Sequence, residues 1–182
     1  TITASSDLDE YLIDSLVAQG AKIDSWGVGT RLITSEDTPS FGGVYKLSAI
    51  MKNGEFVPKM KLSDNPWKIT NPGNKKIYRI YEKESGKVKA DLITLAEEHY
   101  SPENPLLLFD PLATWKKTYL DPNSYTLREL LVPIFISGEC VYESPSVMEI
   151  KDYCTKEQDT LWDEARRLVN PHNVYVDLSQ KL

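Results

Sequence analysis

Cysteine is nearly missing: Cys140 and Cys154 are the only two in 182 residues, and they lack C-x-x-C spacing. That excludes a disulfide-stapled secreted scaffold and marks small apolar residues of a reducing compartment. Histidine is as scarce, with His99 and His172 alone. The four side chains would have to gather from scattered positions to hold zinc, so no metal ligation by them is expected. An excess of basic charge is also lacking. Lys and Arg total 21 against 27 Asp and Glu, a net charge of -6 with a pI near 5.0. A predominantly acidic surface attracts neither nucleic acid nor an anionic membrane, though a local basic pocket is still allowed. Long apolar runs are absent too: the longest, Leu130 to Ser137, contains Pro133 and is far short of a bilayer span. The N-terminus has neither the basic flank nor the apolar stretch of a signal peptide. A cytoplasmic soluble protein, without repeats or low-complexity tracts, is the expectation.

What is present is an ordinary globular composition, 41% hydrophobic and 26% charged, in a chain long enough to bury a core. Its organising stretch is Trp26-Gly27-Val28-Gly29-Thr30, read with Ser5-Ser6-Asp7-Leu8-Asp9-Glu10 upstream. Each follows an expected strand, Thr1 to Ala4 and Lys22 to Trp26, and the segment between reads as a helix from about Leu8 to Gln19. Asp7 is expected to cap that helix with Glu10 three residues on, Gly20 to stop it, and Leu8, Leu12, Ile13, Leu16 and Val17 to form its apolar stripe. Asp7, Asp9 and Glu10 suit the positive end of the helix dipole, which accounts for them without acid–base catalysis.

Strand, helix, strand places both turns at one end of a parallel pair, where ligands gather. Glycines at 27 and 29 let the backbone approach a bulky anion, and Ser5, Ser6 and Thr30 add hydroxyl donors. A short helical turn at Arg31 to Ser35 would point its first N–H groups at the same anion. The reading is a phosphate cradle; the competing one is a tight turn, which a lone G-x-G marks more often. The chain opens directly on Thr1-Ile2-Thr3-Ala4, read as a buried strand, so its missing strand neighbours are expected upstream, in a larger fold.

Asp37-Thr38-Pro39-Ser40 breaks any helix, and Phe41-Gly42-Gly43 gives an exit from the barrel-like part. Antiparallel sheet is expected next: a strand from Val44 to Met51, a turn at Lys52 to Glu55 and a return over Phe56 to Leu62. A second hairpin joins Lys76–Lys83 to Val88–Leu95, with loops at Asn65-Pro66-Trp67 and at Asn71 to Asn74. Lys59, Lys61, Lys68, Lys75 and Lys76 read as solvated sheet-edge lysines, although Lys59 and Lys61 alternate on one face and could help hold phosphates. Leu106–Phe109, ended by Asp110-Pro111, and Trp115–Leu120 read as strands. Tyr125–Ile136 carries helical apolar spacing, and Ser146–Leu168 a long amphipathic helix with Met148, Ile150, Cys154, Leu161, Trp162, Ala165 and Leu168 inward. Val174–Leu178 is a final strand.

The wording of Ser5 to Glu10, of Gly20 to Thr30 and of Pro39-Ser40-Phe41-Gly42-Gly43-Val44-Tyr45-Lys46-Leu47, in order and spacing, resembles nicotinate phosphoribosyltransferase. Lys59 to Ser63 and Asp91 to Glu98 resemble it too. The resemblance implies the C-terminal strands and helices of an irregular α/β barrel over 1–44, an antiparallel extension over 45–70, and a mixed α+β domain with antiparallel hairpins over 71–182. It implies an enzyme that joins nicotinate to 5-phosphoribosyl-1-pyrophosphate, giving nicotinate mononucleotide for NAD biosynthesis, with ATP hydrolysis through a phosphorylated histidine and Mg as ion. Ser5 and Ser6 would lie in a first loop for the 5′-phosphate, and Gly27, Gly29 and Thr30 in a second. The family pairs as homodimers. Its phosphorylated histidine and its R-x-D-S-G-D segment have no match here and are expected upstream of Thr1, so this chain is expected to bind no ATP tightly and to lack turnover alone. Two alternatives stand beside this: a nicotinamide phosphoribosyltransferase-like barrel enzyme, and a non-catalytic dimerisation or scaffold module.

Overall fold

A computed structural model describes the chain except for Phe41, Pro66, Trp67, Pro111 and Leu112. The expected exit at Phe41, the Pro66-Trp67 loop and the Pro111 strand end therefore lie outside the described residues. Contacts divide the chain into one unit of residues 1–45 with 168–170 and another of residues 46–167 with 171–182.

In the first unit, strand β1 (Thr3–Ser5) is followed by helix α1 (Glu10–Ala18), strand β2 (Ser25–Gly27) and the short helix α2 (Thr30–Thr34). The two strands pair in parallel, Thr3 opposite Ser25 and Ser5 opposite Gly27. The Thr3 and Ser25 hydroxyls meet at 2.7 Å, and the Ile2 N–H donates to the Asp24 carboxylate at 2.6 Å. The start of α1 differs from the expectation. Ser6 and Asp7 both take left-handed backbone, with φ of 82° and 44°, so the chain is still turning where the capping residue was expected. Asp9, extended at φ -137°, is the cap instead and accepts the Leu12 N–H at 2.7 Å; an extended residue with a short carboxylate suits that place. Gly20, at φ 79°, ends the helix as expected. Its N–H bonds the Val17 carbonyl, and the Ala21 N–H bonds that of Leu16, the paired arrangement that left-handed glycine permits. The apolar stripe is only partly covered: Leu8 is 4% exposed, whereas Leu12 and Val17 are exposed.

The second unit is built on a four-stranded sheet. Strand β3 (Ala49–Lys52) turns through Asn53-Gly54 into β4 (Glu55–Pro58); both turn residues have positive φ, which matches the twist of a two-residue hairpin. The expected strand from Val44 narrows to these residues, and β4 ends before Lys59 and Lys61, so no strand alternation aligns that pair. Strands β5 (Lys75–Glu82) and β6 (Val88–Leu95) form the second hairpin at the expected place. Strands β7 (Leu106–Asp110) and β8 (Ala113–Leu120) pair antiparallel by themselves. Strand β9 (Tyr125–Glu129) joins β5, and after the small hairpin β10 (Phe135–Ile136) and β11 (Glu139–Cys140), helix α3 (Val147–Asp159) leads through a 3-10 turn at Asp163–Ala165 to β12 (Tyr175–Leu178). The sheet order is β12-β6-β5-β9, with β12 parallel to β6 and the other pairs antiparallel.

One face of this sheet makes the core. Tyr78, Ile80, Ala90, Leu92 and Tyr125 from the sheet pack with Leu106, Leu108 and Leu120 of the β7–β8 hairpin. Burying several such side chains at roughly 1.5–3 kcal/mol each is what holds the two sheets together. Lys76 shares that face; it is 9% exposed, with its ammonium 5.3 Å from the Tyr78 ring centroid. Lys75 donates to the Asn71 and Gly73 carbonyls. Neither is the solvated edge lysine expected.

Two further expectations fail here. Tyr125–Ile136 is not a helix: its first five residues are β9, whose alternation puts Tyr125 and Leu127 on the core side and Arg128 on the other. A sheet edge with eight residues of β5 to pair against outweighs a loose helical spacing. The long helix expected to Leu168 stops at Asp159. Ser146 and Glu149 form its reciprocal cap, but at its other end Lys87 donates to the Asp159 and Leu161 carbonyls, and the Val88 N–H donates to that of Thr160. The expected inner side is in fact open, with Met148, Ile150 and Cys154 exposed. Cys140 is an exposed free thiol as well. Among the described residues no helix is long and apolar enough to cross a membrane.

Candidate functional site

Of the five residues singled out in sequence, Ser5 and Gly27 meet at one end of the parallel pair, and the other three follow close behind them in the chain. Ser5 is the last residue of β1 and stands opposite Gly27, the last of β2. Ser6 follows in left-handed backbone, Gly29 precedes α2, and Thr30 opens it. All five are exposed, so no packed hydrocarbon separates the two loops. Gly27 is needed for the close approach: a Cβ there would stand 3.2 Å from the Ser5 Cβ and 3.6 Å from the Ala4 carbonyl oxygen. Gly29 has nothing within 4 Å of the same point, so its freedom serves something other than packing. No side chain caps the first turn of α2, and the Gly29 carbonyl accepts from Leu32 and Ile33. Hydroxyls and backbone N–H groups at the mouth of two adjoining loops can take up a tetrahedral anion.

A cleft of about 570 Å³ in the same unit is lined by Asp9, Glu10, Glu36, Asp37 and Arg31 among others. Its single arginine is already held, 3.2 Å from Asp9 and 3.3 Å from Glu36. Four carboxylates around one paired cation repel a phosphate. Arg31 was missed in sequence; its spacing from Asp9 gave no signal, because the contact depends on how α2 follows β2.

In the second unit the polar chemistry is mostly fastening. On the sheet face away from the core, Arg79 donates to both Asp91 oxygens at 2.8 and 2.9 Å, and Arg128 to both Glu157 oxygens at 2.7 and 2.6 Å. Arg79 also lies 3.6 Å from Glu157. The Arg128 bonds hold the Glu157 carboxyl below its ordinary range against the opposing pull of burial, and α3 is thereby tied to β5 and β9. Glu98, 7% exposed, accepts from the Leu95 N–H, the Tyr100 hydroxyl and the Ser179 hydroxyl. Burial raises its carboxyl, but those three donors outweigh it and the net shift is downward. Tyr100, half-buried and donating to that carboxylate, is pushed up to about 12 by burial first and by that carboxylate second. His99 is exposed. His172 lines a cleft of about 410 Å³ with Trp162, Glu164 and Tyr175. Among the described residues no group of three or more His, Cys, Asp or Glu side chains is placed to hold a metal ion.

A sheet-rich mixed α/β fold with antiparallel hairpins and a parallel strand pair describes a class of α/β proteins rather than one protein. The family is fixed by comparison. The model of the nicotinate phosphoribosyltransferase C-terminal domain matches residues 74–182. The nicotinate phosphoribosyltransferase of Bacillus subtilis (strain 168) is 40% identical over 179 residues, covering 98% of this chain and 36% of that protein. That of Caenorhabditis elegans is 35% identical over 184 residues, covering 100% and 32%. The crystal structure of human nicotinic acid phosphoribosyltransferase superposes with a TM-score of 0.70 at 27% identity, over 100% of this chain and 31% of that one. The chain belongs to the nicotinate phosphoribosyltransferase family, and it spans about a third of the length of the relatives it matches.

Proposed function

We propose that this chain is the C-terminal part of a nicotinate phosphoribosyltransferase, and that Ser5, Ser6, Gly27, Gly29 and Thr30 hold the 5′-phosphate of its ribosyl substrate. The observation that carries the reading is the parallel register of Ser5 with Gly27, which sets the two small-residue loops side by side. In this reading 1–44 is the closing end of an irregular α/β barrel, 45–70 an extension leaving it, and 71–182 an α+β domain. The chain's work is positioning. Backbone and hydroxyl donors fix the phosphate, so that C1 of 5-phosphoribosyl-1-pyrophosphate meets the ring nitrogen of nicotinate in line as pyrophosphate departs. ATP and Mg serve the whole enzyme. In this reading the phosphorylated histidine belongs to the part of the enzyme outside this chain, and the chain takes no step through them. The whole enzyme works in the cytoplasm as a homodimer.

The test is a titration of the chain with ribose 5-phosphate followed by amide NMR. Shifts clustered at Ser5, Gly29 and Thr30 are expected. Shifts nowhere would favour a scaffold module, and nicotinate mononucleotide formed by these 182 residues alone would refute the division of labour.

A further inference from the structure

Strand β12 inverts the usual pattern of its sequence. Val176 is 53% exposed while Asp177, next to it, is 6% exposed. The parallel register explains the inversion: Asp177 stands opposite Leu92, a core residue, and so shares the core-facing side. An aspartate buried to that degree is expected to be paired, yet Asp177 has no hydrogen-bond or ion-pair partner among the described residues. It lines a cleft of about 370 Å³ together with Asp110, at the end of β7. The nearness of the two acids is costly: burial first, and the Asp110 charge second, push the Asp177 carboxyl up.

The same cleft is lined by Lys89, Lys116 and Lys117. Lys89 is engaged, its ammonium 3.0 Å from Glu82. Lys116 and Lys117 are exposed on β8 and have no ion-pair partner among the described residues. A bare cation would meet those ammonium groups, and a bare phosphate would meet the two carboxylates. A hard divalent cation that carries phosphate satisfies both. Magnesium is typically held by one or two carboxylates with phosphate oxygens completing its shell, and lysine is a point-charge partner for the remaining oxygens. We propose that Asp110 and Asp177, with Lys116 and Lys117 beside them, form a binding site for a divalent cation–phosphate ligand of pyrophosphate size in the C-terminal unit. The site lies outside the unit that contains Ser5 to Thr30, and it does not depend on the 5′-phosphate reading.

The test uses the 182-residue chain with inorganic pyrophosphate as probe, in magnesium and without it, by calorimetry and amide NMR; trace Mn²⁺ then locates the metal by paramagnetic broadening. Expected are broadening centred on Asp110 and Asp177, and pyrophosphate binding at least about tenfold tighter with Mg²⁺ than without. Asp177→Asn should remove the metal dependence without lowering the melting temperature, since it relieves a buried unpaired acid. Should that variant fail to fold, Lys116→Gln, at an exposed position, should weaken magnesium–pyrophosphate by about fivefold or more. Pyrophosphate binding indifferent to metal, no broadening near Asp110 and Asp177 at millimolar metal, or responses confined to residues 5–30 would each overturn the proposal. The last of these would leave the sugar-phosphate reading standing.

Discussion

Replacing Glu98 tests how the last strand is fastened. Its carboxylate accepts from Leu95 N–H at 2.9 Å, Tyr100 O–H at 2.9 Å and Ser179 O–H at 2.6 Å, so one side chain joins the end of β6 to the residue following β12. Glu98→Ala strands all three donors. Bonds to a charged acceptor are worth about 1.5–3 kcal/mol each, but water entering the vacated space recovers part of that, and the net loss is about 3 kcal/mol. Glu98→Gln keeps one acceptor oxygen where Leu95 and Ser179 meet, and the Tyr100 hydroxyl turns to accept from the new amide, so the cost falls to about 1 kcal/mol. Urea unfolding followed by circular dichroism measures both. With a slope of about 1.5 kcal/mol per molar, the alanine variant should lose about 2 M in midpoint.

The pH dependence is the stricter check. The Glu98 carboxyl is lowered in the folded protein, so its contribution is complete above the unfolded carboxylate value of about 4.3 and is lost as pH falls through the folded one. The stability gap between the parent and Glu98→Gln should therefore be flat from neutral pH to about 4.3 and close below it. Hydrogen exchange of the β12 amides should quicken in both variants. A midpoint for Glu98→Ala within error of the parent, or a gap indifferent to acid, would refute the assignment of this carboxylate as the anchor of β12.

Two glycines separate backbone strain from crowding. Gly54→Ala, at φ 84° with open space around it, should cost about 1 kcal/mol, while Gly73→Ala, at φ 95° with its Cβ 2.7 Å from Leu95 Cδ2, should cost about 2 kcal/mol by thermal melting. Glu157→Gln weakens the bidentate Arg128 bond; because Arg128 is 41% exposed, the loss should be only about 1 kcal/mol, read as faster exchange confined to α3. Gly29→Val should leave melting unchanged and weaken ribose 5-phosphate, whereas Gly27→Val should disturb both, because only Gly27 has a strand neighbour within 4 Å.

What the sequence makes legible is local. The β5–β6 hairpin, the stop of α1 at Gly20 and the pairing of β1 with β2 follow from alternation, glycine and spacing, and so does the clustering of Ser5 with Gly27. What it hides is settled by residues distant in the chain. Helix α3 ends where Lys87 and Val88, some seventy positions earlier, claim its last carbonyls. The Tyr125 segment is a strand because β5 has an edge to fill. Arg79 and Glu157 meet only because the sheet and α3 both exist.

Strand β12 is the sharpest case. Hydropathy alone would turn Val176 inward and Asp177 outward, and the opposite holds because the parallel pairing sets Asp177 opposite Leu92. A shift of one residue in that register would exchange the two faces and bury the valine. The register is instead pinned two residues further on, where the Ser179 N–H donates to the Ile93 carbonyl and the Ser179 hydroxyl to Glu98. The Glu98 anchor and the buried Asp177 are thus one arrangement: the first fixes the position that the second would not take on its own. A fold that spends stability to hold an acid in this way does so most often where a ligand will meet it. Loosening Glu98 should therefore weaken metal–phosphate binding at Asp177 even though Glu98 does not line that cleft, and equal affinity in Glu98→Gln and the parent would separate the two.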